Sequence, residues 1–209
     1  MNGTLHTPSS IAPDLENYRG WFDGYLAGLP DKDVRLLQTA LKLAQRHYPA
    51  EAKTDSGEPL LSNLMGAAQM VNDMDLLPDA VAATLLAAIS GYCPDWQQVV
   101  TEQCNATICE LVKGVDEVQK LTHFARVDSL ATPEERAQQA ETMRKMLLAM
   151  VTDIRVVLIK LAMRTRTMQF LSEVPDSPEK RAVAKETLDI FAPLANRLGV
   201  WQLKWQLED

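Results

Sequence analysis

Residues 155–171 read Arg155-Val-Val-Leu-Ile-Lys160-Leu-Ala-Met163-Arg164-Thr-Arg166-Thr167-Met168-Gln-Phe-Leu171. This run forms the pattern of one long helix. Lys160 and Arg164 stand four residues apart and so share a face of that helix, with Met163 beside them at its centre. Around it, almost every apolar segment recurs at helical spacing, and no stretch alternates convincingly as a strand would.

Working outward, the pattern predicts helices over 14–26, 33–48, 60–73, 79–90, 95–103, 106–123, 134–150, 153–172, 178–197 and from Trp201 onward. Asp14 is placed to cap the first, which carries Trp21, Phe22 and Tyr25. Pro78 suits a first helical position, where its missing N–H costs nothing, and the nearly all-apolar 79–90 segment is the expected buried centre. Thr132-Pro133-Glu134-Glu135 and Ser177-Pro178-Glu179 open helices, and Leu198-Gly199 closes one. The segment from Pro49 to Pro59 reads as a loop turning at Asp55-Ser56-Gly57. The expected architecture is all-α, a single bundle of about ten helices. Residues 1–13 are expected to be a loose leader and 14–199 the domain proper. The 200–209 run, amphipathic and ending in mid-pattern, is expected to start a linker helix within a longer parent protein.

Composition narrows the function classes. The chain has 209 residues, 46% hydrophobic and 23% charged, with a net charge of −7. Such a balance is ordinary for a globular domain and argues against direct nucleic-acid binding. Cys93, Cys104 and Cys109 show no paired spacing, so neither a zinc nor a disulfide framework is expected and a cytoplasmic location is. No signal-peptide pattern and no long apolar run point to export or a membrane.

Several separated blocks carry a family resemblance. They are Ser56-Gly57-Glu58-Pro59, Leu111-Val112-Lys113-Gly114-Val115, Arg144 to Met150, Asp153-Ile154-Arg155-Val156, and Phe191-Ala192-Pro193-Leu194-Ala195-Asn196-Arg197-Leu198-Gly199. In this order, together with the 155–171 helix, they resemble the RelA/SpoT family of long alarmone synthetase/hydrolases. The resemblance implies an HD-type helical domain that, in active members, removes the 3′ pyrophosphate of (p)ppGpp with Mn²⁺. A synthetase domain follows it in such chains.

The resemblance also implies a set of metal-ligand positions and a water-handling pair, and each holds an unsuitable residue here. Asn63 stands where a first histidine is expected, Ala87 and Ala88 where a His-Asp pair is, Gly91 and Tyr92 where a Glu-Asp pair is, and Met163 where the last aspartate is. Metal-assisted hydrolysis needs ligands that fix the ion and a nearby proton-transfer group, and a thioether suits copper(I) rather than a hard ion. No bound metal or cofactor is therefore expected. The leading expectation is a catalytically inactive, regulatory HD domain of a GTP pyrophosphokinase of the stringent response, with no enzyme activity of its own. Its partners would be the synthetase domain of the same parent and, through regions beyond this chain, the ribosome and uncharged tRNA.

Two alternatives stand beside it: an active Mn-dependent 3′-pyrophosphohydrolase, and a guanine-nucleotide sensor using Lys160, Arg164 and Arg166. The plainer reading of those cations, with Arg155, is a solvated face or ion pairs with carboxylates such as Asp153 and Glu173. The cysteines and the helix-spaced Met143, Met146 and Met150 read as core. His6, His47 and His123 share no ligand spacing. Trp201 and Trp205 pack either within the domain or against a further one.

Overall fold

The computed structural model describes residues 15–125, 133–150 and 152–200, with Leu203 and Leu207 beyond them. Among these, helices run in the order α1 (Leu15–Leu26), α2 (Asp31–His47), α3 (Leu60–Asp73), α4 (Pro78–Leu85), α5 (Trp96–Gln103), α6 (Ala106–Ala125), α7 (Pro133–Met150), α8 (Ile154–Glu173), α9 (Pro178–Glu186) and α10 (Ala192–Arg197). The all-α expectation holds, the one extended pairing among the described residues being a single Lys53–Pro59 bridge. The expected leader, Asp14, Thr132, Trp201 and Trp205 lie outside the described residues.

The bundle is built around α3 and α4, which pack on each other. In addition α3 lies on α8, and α4 lies on α2 and α6. Every residue from Ala80 to Leu85 is fully buried. The Thr84 hydroxyl among them donates to the Ala80 carbonyl at 2.7 Å, so no polar group is stranded. Small alanines on α4 let the surrounding helices come close, while Leu64, Leu85, Leu86 and Ile89 fill the gaps between them. Each such side chain contributes roughly 1.5–3 kcal/mol by leaving water. Beyond α10, Leu203 and Leu207 are buried in the same core.

Local signals act where they stand in the sequence. Pro78 opens α4, and Ser177 caps α9 by accepting from the Lys180 N–H at 3.1 Å. At the end of α10, Gly199 takes φ +73° and the Val200 N–H bonds back to the Ala195 carbonyl at 3.0 Å.

Three expectations need correction. The 79–90 helix stops at Leu85 and tightens into a 3-10 turn over Ile89–Gly91. A continuing helix would give the Leu85 carbonyl to the Ile89 N–H; instead the Tyr48 hydroxyl donates to it at 3.1 Å, and Ile89 bonds to Leu86. The 178–197 helix is interrupted by a π turn at Thr187–Phe191. Pro193 has no N–H for the Asp189 carbonyl, which accepts from Arg144 Nη1 at 2.6 Å instead. Finally, Met146 is not core: it is 47% exposed, because α7 turns the face of Ala140, Met143 and Leu147 inward and position 146 lies off that face.

Candidate functional site

The loop between α2 and α3 folds back on itself. Leu60 N–H bonds the Ala52 carbonyl at 2.8 Å, and Thr54 N–H bonds the Glu58 carbonyl at 2.9 Å. The turn needs Gly57, whose φ of +88° is a left-handed conformation that a side chain would strain. The result sets Lys53, Thr54, Asp55 and Ser56 on the rim of a cavity of about 310 Å³.

The opposite wall is a stripe on α8. Lys160, Met163, Arg164 and Thr167 follow the i, i+3, i+4, i+7 pattern and all line the cavity. Asn63 on α3, Ala87, Ala88 and Gly91 after α4, and Asp116 and Gln119 on α6 complete it. Separate positions singled out from the sequence, namely Asn63, Ala87, Ala88, Gly91 and Met163, therefore meet around one space. Tyr92 does not join them. Its ring packs edge-on to Tyr48 at 5.4 Å.

The cations are held in place. Lys160 Nζ donates to Gln119 Oε1. Arg164 Nη2 lies 2.9 Å from Glu186 Oε2, and its guanidinium stacks 4.3 Å from the Phe191 ring centre, a contact that keeps the charge and directs it. Asp116 accepts from Ser90 Oγ at 2.7 Å and pairs with Lys120 at 2.7 Å.

Arg166 departs from expectation. It does not line the cavity; two residues from Arg164 it points to another side of α8, where it is buried. Its Nε donates to Glu58 Oε1 at 2.8 Å, and its Nη2 stands 2.5 Å from the same oxygen. The other carboxylate oxygen of Glu58 accepts from Asn63 Nδ2 at 2.7 Å. Burial lifts the Glu58 carboxyl above the usual carboxylate range, while Asn63 and Arg166 pull it back. Gly66 makes room for this pair: a Cβ there would lie 2.7 Å from Arg166 Cδ and 2.8 Å from the Tyr18 hydroxyl. Arg155, by contrast, follows the plainer reading and pairs with Asp153 at 2.5 Å.

The donor chemistry does not fit a manganese-type ion at these positions. Such ions take carboxylates, carbonyls and water, or imidazole in mixed sites. At these positions two alanine methyls, a thioether and the Asn63 carboxamide face the cavity, and the Asn63 Nδ2 donates to Glu58. Among the described residues no three His, Cys, Asp or Glu side chains come together as a metal group.

The HD domain model matches residues 40–201. The chain belongs to the HD domain family. This HD domain is homologous to the RelA/SpoT proteins of (p)ppGpp metabolism. It is 35% identical over 182 residues to the bifunctional (p)ppGpp synthase/hydrolase SpoT of Escherichia coli K12, covering 87% of this chain and 24% of that protein. A guanosine-3′,5′-bis(diphosphate) 3′-pyrophosphohydrolase of Haemophilus influenzae is 40% identical over 155 residues, covering 74% of this chain and 21% of the relative. A GTP pyrophosphokinase of Myxococcus xanthus is 36% identical over 180 residues, 86% of this chain and 23% of that protein. The HD domain thus spans about a quarter of the length of these relatives.

These findings correct the expectation that the chain is no enzyme. Relatives at 35% and 40% identity are named as pyrophosphohydrolases and others as GTP pyrophosphokinases, so the family gives no ground for calling the domain inactive. The unsuitable residues at the six expected catalytic positions do not by themselves establish inactivity.

Sequence reasoning missed Glu58 as a site element, although it lies within a matched block. The available signal was a carboxylate followed by proline and an apolar helix: a carboxylate buried there needs a cation, and Arg166 was already a candidate.

Proposed function

We propose that this HD domain binds a guanosine 3′,5′-bis(diphosphate)-type nucleotide in the cavity between the 52–60 loop and α8. The observation that carries the reading is the alignment of Lys160 and Arg164 on one wall, with Lys53 on the facing rim. A cavity of this size is in the range of small-molecule sites. Phosphate groups are the ligand chemistry that a directed guanidinium and an ammonium select. Relatives named for this nucleotide supply its identity.

Hydrolysis of the 3′ diphosphate is the second reading, favoured by those same names. The donor set at the expected positions does not fit a metal ion, so turnover would need ligands from outside these positions. Within a longer parent we propose a (p)ppGpp synthase/hydrolase or GTP pyrophosphokinase of the stringent response, cytoplasmic, with a synthetase domain as the neighbour of this one. The ribosome and uncharged tRNA would be reached through other regions.

Calorimetric titration of ppGpp, with Mn²⁺ and separately with EDTA, tests the binding, and an assay of released pyrophosphate tests turnover. Saturable heat is expected in either buffer. Lys160→Ala and Arg164→Ala should each lose roughly 10- to 100-fold in affinity, the loss of one charge-assisted contact. Absence of heat in both buffers overturns the proposal, and Mn²⁺-dependent pyrophosphate release makes the domain a hydrolase.

A further inference from the structure

We propose that Glu58 is a positioning residue for the cavity: clamped by Arg166 and Asn63, it anchors the 52–60 loop. It thereby sets where Lys53, Thr54, Asp55 and Ser56 stand against bound phosphates. The consequence for binding rests on the nucleotide reading above; the anchoring itself rests on geometry alone.

Thr54 to Glu58 and Gly57 to Thr54 close the turn on itself, while Leu60 to Ala52 and Asn63 to Pro59 tie its base to α3. These bonds leave the link between the loop and α8 to side chains. Glu58 supplies that link. Its carboxylate, 0% exposed, reaches Asn63 in the first turns of α3 and Arg166 on α8, 108 positions along the chain. Arg166 cannot drift, because it packs over Gly66 and its guanidinium lies 5.7 Å from the Tyr18 ring centre. The link therefore runs from α1 through α8 to the loop, along the back of the cavity wall.

A buried ion pair is a poor device for stability, since a matched apolar pair often does as well or better. What it adds is direction. The carboxylate is engaged at both oxygens by donors from two helices, which defines the place of residue 58. The residues before it in the turn then stand at the cavity rim. Asn63 and Arg166 thus act behind the phosphate-facing wall, through Glu58.

The test compares the parent protein with Glu58→Gln and with the double variant Glu58→Leu/Arg166→Met. Glu58→Gln strands the Arg166 charge and should melt lower. The double variant replaces the pair by apolar volume and should recover melting to near that of the parent. Even so, amide exchange over 53–57 should speed by about 10-fold or more, and ppGpp affinity should fall by about 10-fold. A purely structural pair would move neither once melting has recovered. Parent-like exchange and affinity in the double variant overturn the proposal. Should the parent itself bind no ppGpp, the nucleotide reading fails separately, and exchange over 53–57 alone decides the anchoring. Should the double variant not fold, Asn63→Ala removes one donor without stranding a charge; faster exchange over 53–57 supports the anchor, and unchanged exchange overturns it.

Discussion

Asp153 does two things for α8 at once. Its Oδ1 accepts from the Arg155 N–H at 2.9 Å, capping the helix, while Arg155 Nη2 stands 2.5 Å from Oδ2. The Arg155 side-chain hydrogen bond, aided by the backbone one and opposed by burial, holds this carboxyl below its ordinary value of 3.8. Asp153→Ala should destabilise the domain by about 1 kcal/mol at neutral pH, as lost N-caps do. Because the folded value is depressed, the ionic part of that contribution is present above pH 3.8 and is lost as pH falls through the lower, folded value. Denaturant unfolding of parent and variant should therefore converge in acid. A gap that persists there would mean the side chain acts by packing rather than by charge.

Helices α6 and α8 meet at Gly114, where a Cβ would fall 2.7 Å from Val156 Cγ2. A β-branched side chain has few rotamers with which to yield, so Gly114→Ala should cost about 1–3 kcal/mol by overpacking. Val156→Ala in the same chain opens the space, and the pair should be less destabilised than the sum by at least about 0.5 kcal/mol. Strict additivity in thermal melts would show that the helices separate freely at this point. Elements of this kind were legible in the sequence where their causes are local: Pro78, Ser177 and Gly199 each mark a boundary with chemistry contained in a few residues. The misread boundaries have distant causes. The end of α4 depends on a Tyr48 hydroxyl 37 positions away, and the carbonyl that Pro193 leaves open in the π turn before α10 is met by Arg144, 45 positions away. Periodicity carries no trace of either.

For the molecule as a whole, the cavity was half legible. The stripe from Lys160 to Thr167 follows from helical spacing, and all the positions matched to a hydrolase except Tyr92 converge on it. Arg166 was misplaced because an offset of two residues turns a side chain about half-way round the helix, and its true partner, Glu58, is far away in sequence. A site assembled this way should respond as one unit to its ligand. The protein carries a net charge of −7, so a polyphosphate is repelled everywhere except where cations are gathered, and the larger cavity of about 560 Å³ is lined by Glu110, Glu117 and Asp153 against Lys113. Binding confined to the folded state at a ppGpp concentration a hundred times its Kd should add about 2.7 kcal/mol. For a domain of this size that raises Tm by roughly 5–11 °C. The rise should shrink sharply in Lys160→Ala, measured against that variant's own unliganded melting. An undiminished rise in that variant would place the nucleotide outside the α8 stripe. A rise produced equally by inorganic pyrophosphate would show that the cavity reads phosphate and leaves the guanosine unrecognised.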